Sequence, residues 1–124
     1  MAAYAPVGSG LPSAKVDEVI GVVKAYSSCV GEGPFTCEWF GEEAEQLREA
    51  GGEYGAKTGR PRRVGPIDIV ATRYGVQCQA ATNIALTKLD VLSYMDKIPV
   101  CAHYTLDGKQ IDAFPFPAVL SEAQ

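Results

Sequence analysis

The sequence predicts an α/β domain, in which part of a mostly parallel sheet is flanked by helices and an antiparallel hairpin lies near the C-terminus. Apolar, β-branched runs typical of strands alternate along the chain with segments of helical periodicity. Two further strand-like runs flank Asp107-Gly108, a dipeptide that favours a tight hairpin turn. The chain of 124 residues is long enough for one domain with a single core.

The first strand is predicted over residues 19–26, an almost continuous apolar run. A run without polar alternation is typical of a strand that is covered on both faces. Residues 30–35 follow, and their two glycines and one proline break regular structure. We call residues 30–35 the glycine turn.

The first helix is predicted over residues 38–50, because Phe40, Ala44 and Leu47 recur at helical spacing. The next two residues are glycines, which supply a C-terminal stop. Residues 51–66 have no hydrophobic period and contain five glycines and two prolines. A loop of this length is unusual in so small a domain, and such loops are often functional.

The second helix is predicted over residues 67–80, where apolar residues recur along one face. That face consists of Ile67, Val70, Tyr74 and Cys78. A short buried strand is predicted at residues 84–86. The hairpin pairs residues 100–105 with residues 110–114, and its Asp-Gly turn indicates type I′ geometry.

The charge balance disfavours one class of function. Eleven basic and 15 acidic residues give a net charge of −4, whereas nucleic-acid-binding domains usually carry a basic surface. No apolar run is long enough to cross a bilayer, and no secretory signal is visible. We therefore expect a cytoplasmic protein that binds neither nucleic acid nor membrane.

The cysteines do not show the spacing of a metal site. Cys29, Cys37, Cys78 and Cys101 include no C-x-x-C pair, and the chain has a single histidine, His103. We expect reduced, mostly buried thiols and no metal site. No Ser/His/Asp order can be assembled around His103 either, so a structural role within a strand is expected for it.

Three of the five arginines lie in the run Arg60-Pro61-Arg62-Arg63, inside the long loop. Guanidinium groups bind carboxylate or phosphate through two parallel hydrogen bonds, and neighbouring glycines let backbone amides approach the same anion. The run therefore indicates an anion-binding loop. A solvated basic loop or an intersubunit salt bridge would use the same residues, and spacing alone does not separate these readings.

The run Thr87-Lys88-Leu89-Asp90 follows the predicted strand at residues 84–86. A carboxylate in this position can accept hydrogen bonds from N1–H and the 2-amino group of guanine, while the lysine stem lies against the purine. Ligands of open α/β sheets bind at the carboxyl ends of strands. The run favours guanine recognition, although a motif this short also occurs by chance.

Taken together, these segments resemble the adenylosuccinate synthetases. The stretches that carry the resemblance are GSGLP (8–12), VVKAYS (22–27), VGEGPF (30–35), EYGAKTGRPRR (53–63), ID (67–68), ALTKLDVL (85–92) and VC (100–101). They cover nearly the whole chain but only an interior part of the longer enzymes. The resemblance implies the P-loop-like fold of a GTP-dependent ligase.

The resemblance also implies a function: part of a ligase that uses GTP to join IMP and L-aspartate into adenylosuccinate in AMP biosynthesis. By this resemblance, aspartate and IMP would be bound by nine residues: Val30, Gly31, Ala56, Lys57, Thr58, Gly59, Arg60, Pro61 and Arg62. The GTP-binding residues would be Arg62, Lys88, Leu89 and Asp90. The full-length enzymes also use Mg²⁺ and form homodimers.

The resemblance implies that the family's phosphate loop, catalytic aspartate and histidine, and magnesium ligands lie outside residues 1–124. We therefore expect no catalytic residue and no metal ligand in the segment, no ligase activity from it alone, and self-association. The alternative is a non-catalytic nucleotide-binding or regulatory module of the same fold. Three residues depart from the family pattern, namely Cys29, Lys57 and Pro66, and the proline is expected to stiffen the far hinge of the loop.

Overall fold

The computed structural model describes residues 2–115 and confirms the α/β class. Its strands are β1 (Ile20–Lys24), β2 (Tyr26–Cys29), β3 (Arg63–Asp68), β4 (Asn83–Thr87), β5 (Val100–Cys101), β6 (Tyr104–Leu106) and β7 (Lys109–Ile111). Its helices are α1 (Ala5–Gly8), α2 (Gly41–Gly51) and α3 (Ile69–Gln79), with 3₁₀ turns at Ala2–Tyr4 and Leu89–Leu92. None of the helices within residues 2–115 has the length and apolar character needed to cross a membrane.

The strands form three small sheets. β1 and β4 pair in parallel, so that Lys24 and Thr87 lie opposite each other at the carboxyl ends. β3 pairs antiparallel with β2 and parallel with β5, and β6 and β7 form a hairpin. The predicted strand at residues 19–26 is therefore two strands in different sheets. Ala25 lies between them, and its N–H donates to the Thr87 carbonyl at 2.9 Å.

The prediction that the first strand is covered on both faces is wrong for the part of the chain that the structure describes. Val22 on β1 is 73% exposed, and Ile20 is more than half exposed. The predicted strand at residues 84–86 exists as the centre of β4, but Ile84 and Leu86 are half exposed rather than buried. A sheet of two strands leaves such side chains with few neighbours to cover them.

The main core forms where α2 packs against β2, β3 and the second 3₁₀ turn. Its buried members are Ala25, Tyr26, Ala44, Leu47, Val64 and Leu92. Ala44 and Leu47 confirm the predicted apolar face of the helix. Phe40 does not, because α2 begins at Gly41 and leaves the Phe40 side chain 76% exposed just before the first turn. The predicted glycine stop is confirmed by Gly52, which caps α2 in the left-handed conformation.

The long loop is shorter than predicted, because residues 63–66 belong to β3. We call the remaining connection, residues 52–62, the arginine loop. The second helix is also shorter at its start. Ile67 lies in β3, and α3 begins after Asp68, whose carboxylate caps the helix by accepting from the Ala71 N–H at 2.9 Å. Along the predicted apolar face, Val70 is buried, whereas Tyr74 and Cys78 are exposed.

The hairpin turn is confirmed, since Asp107 and Gly108 both have positive φ angles of 50° and 73°, as a type I′ turn requires. The strand predicted at residues 100–105 is two strands, because β5 joins β3 in a parallel pair before β6 begins the hairpin. The return strand ends at Ile111 instead of residue 114.

Candidate functional site

The chain turns sharply where β4 ends. Lys88 follows the strand with a φ of 60°, in the left-handed region, and its Nζ donates to the carbonyl oxygen of Gly51 at 3.2 Å. Leu89 and Asp90 come next and are exposed in the 3₁₀ turn. We call Lys88, Leu89 and Asp90 the KLD segment. It lies at the carboxyl end of β4, beside the C-terminus of α2.

The arginine loop folds back on itself like a narrow hairpin. The Gly55 N–H donates to the Arg60 carbonyl at 2.9 Å, and the Gly59 N–H donates back to the Gly55 carbonyl at 2.8 Å. Nearer its base, the Arg62 N–H donates to the Glu53 carbonyl at 2.9 Å. These bonds present residues 56–61 as an exposed tip. The backbone of the loop is thus ordered by its own hydrogen bonds.

Among the acidic residues within residues 2–115, Glu53 is the one that is buried, with 2% of its surface exposed. Its Oε1 accepts from Lys24 Nζ at 2.8 Å and from the Tyr26 hydroxyl at 2.5 Å, and its Oε2 accepts from Arg62 Nη1 at 2.8 Å. We call Lys24, Tyr26, Glu53 and Arg62 the Glu53 network. Burial alone would raise the pKa of Glu53, but these three hydrogen bonds outweigh it and lower the pKa to about 2.

The Glu53 network connects the arginine loop to the strand ends. Lys24 is the last residue of β1, so Arg62 is held through Glu53 at the same sheet edge from which the KLD segment starts. Burial is the main reason that the pKa of Tyr26 is raised, and the charges of Glu53 and Asp90 add to it. The Nε of Arg62 is buried and has no acceptor within residues 2–115.

All three nitrogens of the Arg63 side chain donate hydrogen bonds within the protein. Its Nε and Nη2 donate to Glu38 Oε2 at 2.9 and 2.5 Å, and its Nη1 donates to the carbonyls of Gly31 and Gly33 at 2.9 and 2.6 Å. The side chain therefore ties the glycine turn to β3. Arg62 and Arg63 each form an ion pair within the chain, so two of the three arginines in the run already have an acidic partner.

An open cleft of about 240 Å³ lies between the glycine turn and the arginine loop. Gly31, Glu32, Arg60 and Arg63 line it. The structure thus brings together Gly31 and Arg60, which are 29 positions apart in the sequence. Pockets for whole drug-sized ligands are typically about 300–1,000 Å³, so this cleft suits one charged group of a larger ligand.

The other predicted site residues lie around these features. Val30 is exposed beside the cleft, and Lys57 and Thr58 are exposed at the tip of the arginine loop. Pro66 corrects an expectation, because it is buried inside β3 opposite Tyr26 and is not a hinge of the loop. Lys24, Tyr26 and Glu53 were not among the predicted site residues. For Glu53, the one signal in the sequence was its position shortly before the glycines and arginines of the loop.

The four thiols are free, as expected, but they are less buried than expected, and His103 does not lie in a strand. Cys29, Cys37 and Cys101 are half buried, and Cys78 is exposed. All four lie within residues 2–115, and none of them forms a disulfide bond there. Burial, followed by the charge of Asp68, raises the pKa of Cys37 to about 12. The side chain of His103 is exposed between β5 and β6 rather than within a strand.

A sequence model of a known protein family matches this chain from end to end. The model is described as adenylosuccinate synthetase, and it matches residues 1–124. The chain belongs to the adenylosuccinate synthetase family. The family is one of ligases in purine biosynthesis.

A solved structure supports the same assignment. The fully ligated adenylosuccinate synthetase of Plasmodium falciparum is 38% identical to this chain and superposes with a TM-score of 0.77. The match covers 88% of this chain and 27% of that protein, so this family member spans about a quarter of the Plasmodium enzyme's length. The α/β fold predicted from the sequence is therefore the fold of an adenylosuccinate synthetase segment.

Proposed function

We propose that this chain carries the aspartate-binding loop and the guanine-recognition segment of an adenylosuccinate synthetase. The complete reaction would use GTP to join IMP and L-aspartate into adenylosuccinate in the cytoplasm. One observation supports the proposal most directly: the Glu53 network holds Arg62 at the sheet edge from which the KLD segment starts. Arg62 is assigned both to the aspartate and IMP site and to the GTP site, so it has to lie between the arginine loop tip and the KLD segment.

On the aspartate and IMP side, Arg60 is the arginine of the loop tip, and its side chain lines the cleft beside Gly31. A guanidinium in an open cleft can bind a carboxylate through two parallel hydrogen bonds. The tip residues Ala56, Lys57, Thr58, Gly59 and Pro61 are exposed, so their backbone and the Thr58 hydroxyl are accessible to the same anion. Val30 would add an apolar contact to IMP.

On the GTP side, each member of the KLD segment offers one kind of contact. The exposed Asp90 carboxylate can accept from both N–H groups on the guanine edge, a pair that adenine does not present. Leu89 is half exposed and offers apolar surface to the base. The hydrogen bond from Lys88 to Gly51 fixes the lysine stem at the edge of the site, where it can lie against the purine.

Magnesium does not fit the described residues. Mg²⁺ prefers oxygen ligands in octahedral geometry. The one group of three potential ligands within residues 2–115 contains two thiols: Cys37, Asp68 and Cys101. We therefore assign no magnesium ligand to residues 2–115. The sequence also contains no G-x-x-x-x-G-K-[ST] phosphate loop, so we propose that the 124 residues alone do not catalyse the reaction, and that catalysis belongs to longer, homodimeric members of the family.

A nucleotide titration of the purified chain tests the guanine assignment. We expect GTP to bind more tightly than ATP, and Asp90→Asn to reduce that preference by about 10- to 100-fold, because the amide cannot accept from both N–H groups. Asp96→Asn is the matched control, since Asp96 is an exposed aspartate outside the KLD segment. Equal GTP preference before and after the Asp90 change, or no binding of GTP at all, would contradict the proposal.

A further inference from the structure

Two thiols and a carboxylate from three separate segments meet at the carboxyl ends of β3 and β5. Asp68 and Cys101 are direct partners across this parallel pair, and Cys37 reaches them from the segment before α2. One potential ligand atom of each residue lies within 4.8 Å of the others. None of the three belongs to the Glu53 network, the arginine loop or the KLD segment.

The carboxylate of this cluster is held in a fixed orientation. Asp68 Oδ1 accepts from the Ala71 N–H at 2.9 Å, at the start of α3. Asp68 Oδ2 accepts from the Tyr104 hydroxyl and lies 4.0 Å from Cys37 Sγ. Carboxylates that bind metal ions are typically oriented by hydrogen bonds of this kind. Asp68 is thus positioned before any ligand arrives.

The spacing of the donor atoms suits a tetrahedral ion. Bond lengths of about 2.3 Å to sulfur and 2.0 Å to oxygen place the two donors about 3.5 Å apart in a tetrahedral zinc site. The observed 4.0 Å between Cys37 Sγ and Asp68 Oδ2 requires a contraction of only about half an ångström. Thiolate ligands favour Zn²⁺ and similar ions over Mg²⁺ and Ca²⁺.

A cavity of about 230 Å³ reaches the carboxylate of the cluster. Its lining includes Asp68, Thr36 and Tyr104, and it is open to solvent. An ion could enter this way, and a water molecule in the cavity could serve as a fourth ligand. We propose that Cys37, Asp68 and Cys101 bind one zinc-type divalent ion, which links β3, β5 and the segment before α2. The ligands come from three segments, so the site has no C-x-x-C signature in the sequence.

Cobalt titration tests the site, because Co²⁺ occupies zinc sites and reports on its ligands by absorption. The chain is first freed of metal with a chelator and kept in a reductant that does not bind metals. We expect one equivalent of Co²⁺ to give a thiolate charge-transfer band in the near ultraviolet and tetrahedral bands in the visible. Addition of Zn²⁺ should remove both.

Three serine variants separate this site from adventitious binding to thiols. Cys37→Ser and Cys101→Ser should weaken Co²⁺ binding at least tenfold and reduce the charge-transfer band. The wild type and Cys78→Ser are the controls and should bind Co²⁺ equally. Circular dichroism of the metal-free variants checks that each one folds, and Asp68→Asn provides a third ligand variant that keeps both thiols.

Three results would overturn the proposal. The first is the absence of stoichiometric Co²⁺ binding to the reduced wild-type chain. The second is binding that the Cys37 and Cys101 changes leave as strong as in the controls. The third is a 2 Da loss of mass in the reduced preparation, since a disulfide between these residues would remove both thiolates.

Discussion

The substitution Glu53→Gln tests the centre of the candidate site. Glu53 is buried and accepts hydrogen bonds from Lys24, Tyr26 and Arg62. These bonds lower the pKa of its carboxyl group from an ordinary 4.5 to about 2, which corresponds to about 3 kcal/mol of folding stability at neutral pH. Glutamine keeps the shape but not the charge, and leaves two cations facing a neutral amide. We therefore expect Glu53→Gln to lower the free energy of unfolding by about 3 kcal/mol at pH 7.

Urea unfolding at a series of pH values measures this effect. Trp39 packs against the core, so its fluorescence and far-ultraviolet circular dichroism provide two probes of the transition. A lowered pKa contributes stability that is complete above about 4.5 and is lost as the pH falls towards 2. The difference between wild type and Glu53→Gln should therefore shrink from about 3 kcal/mol at pH 7 to near zero at about pH 2. Other carboxyl groups titrate in both proteins and cancel in the difference.

The control for this experiment is Glu49→Gln. Glu49 is exposed and accepts one hydrogen bond from the Tyr54 hydroxyl at the surface. A surface interaction of this kind contributes about 0–1 kcal/mol, so this variant should stay close to wild type. A Glu53→Gln effect below about 1 kcal/mol at pH 7, or a difference that does not change with pH, would refute the role of the buried charge.

Two further predictions concern the framework of the site. Arg63→Lys should lower the free energy of unfolding by about 1–3 kcal/mol, because one ammonium cannot replace the forked contacts with Glu38 and two carbonyls. Urea unfolding measures this change, and an unchanged unfolding midpoint would contradict it. Gly65→Ala should prevent stable folding, because a Cβ there would overlap the Cys37 carbonyl oxygen. In contrast, a Cβ at Gly75 in α3 meets open space, so Gly75→Ala should stabilise the chain by about 0.5–1 kcal/mol. Thermal melting of both glycine variants checks the contrast, and equal melting temperatures would refute it.

The sequence predicted most elements but misplaced their boundaries where two strands follow one another. The run at residues 19–26 looks like one strand because its apolar pattern is continuous through Ala25. The change of sheet at Ala25 depends on partners at Thr87 and Pro66, which are distant in the sequence. Hydrophobic periodicity reports burial along one segment and carries no information on which strand will pair with it. The Asp-Gly turn was predicted correctly because its geometry is local.

The same distinction explains how far the candidate site could be predicted. The arginine run and the KLD segment were identified by residue type alone, but residue type does not distinguish the three arginines of the run from one another. Their acidic partners separate them: Arg63 pairs with Glu38, 25 positions away, and Arg62 pairs with Glu53, nine positions away. Within residues 2–115, Arg60 forms neither of these ion pairs and lines the open cleft beside Gly31. An arginine that faces solvent in a cleft can gain a carboxylate from a ligand without giving up an ion pair within the fold. The assignment of Arg60 to the ligand therefore rests on where Glu38 and Glu53 lie, which only the folded chain reveals.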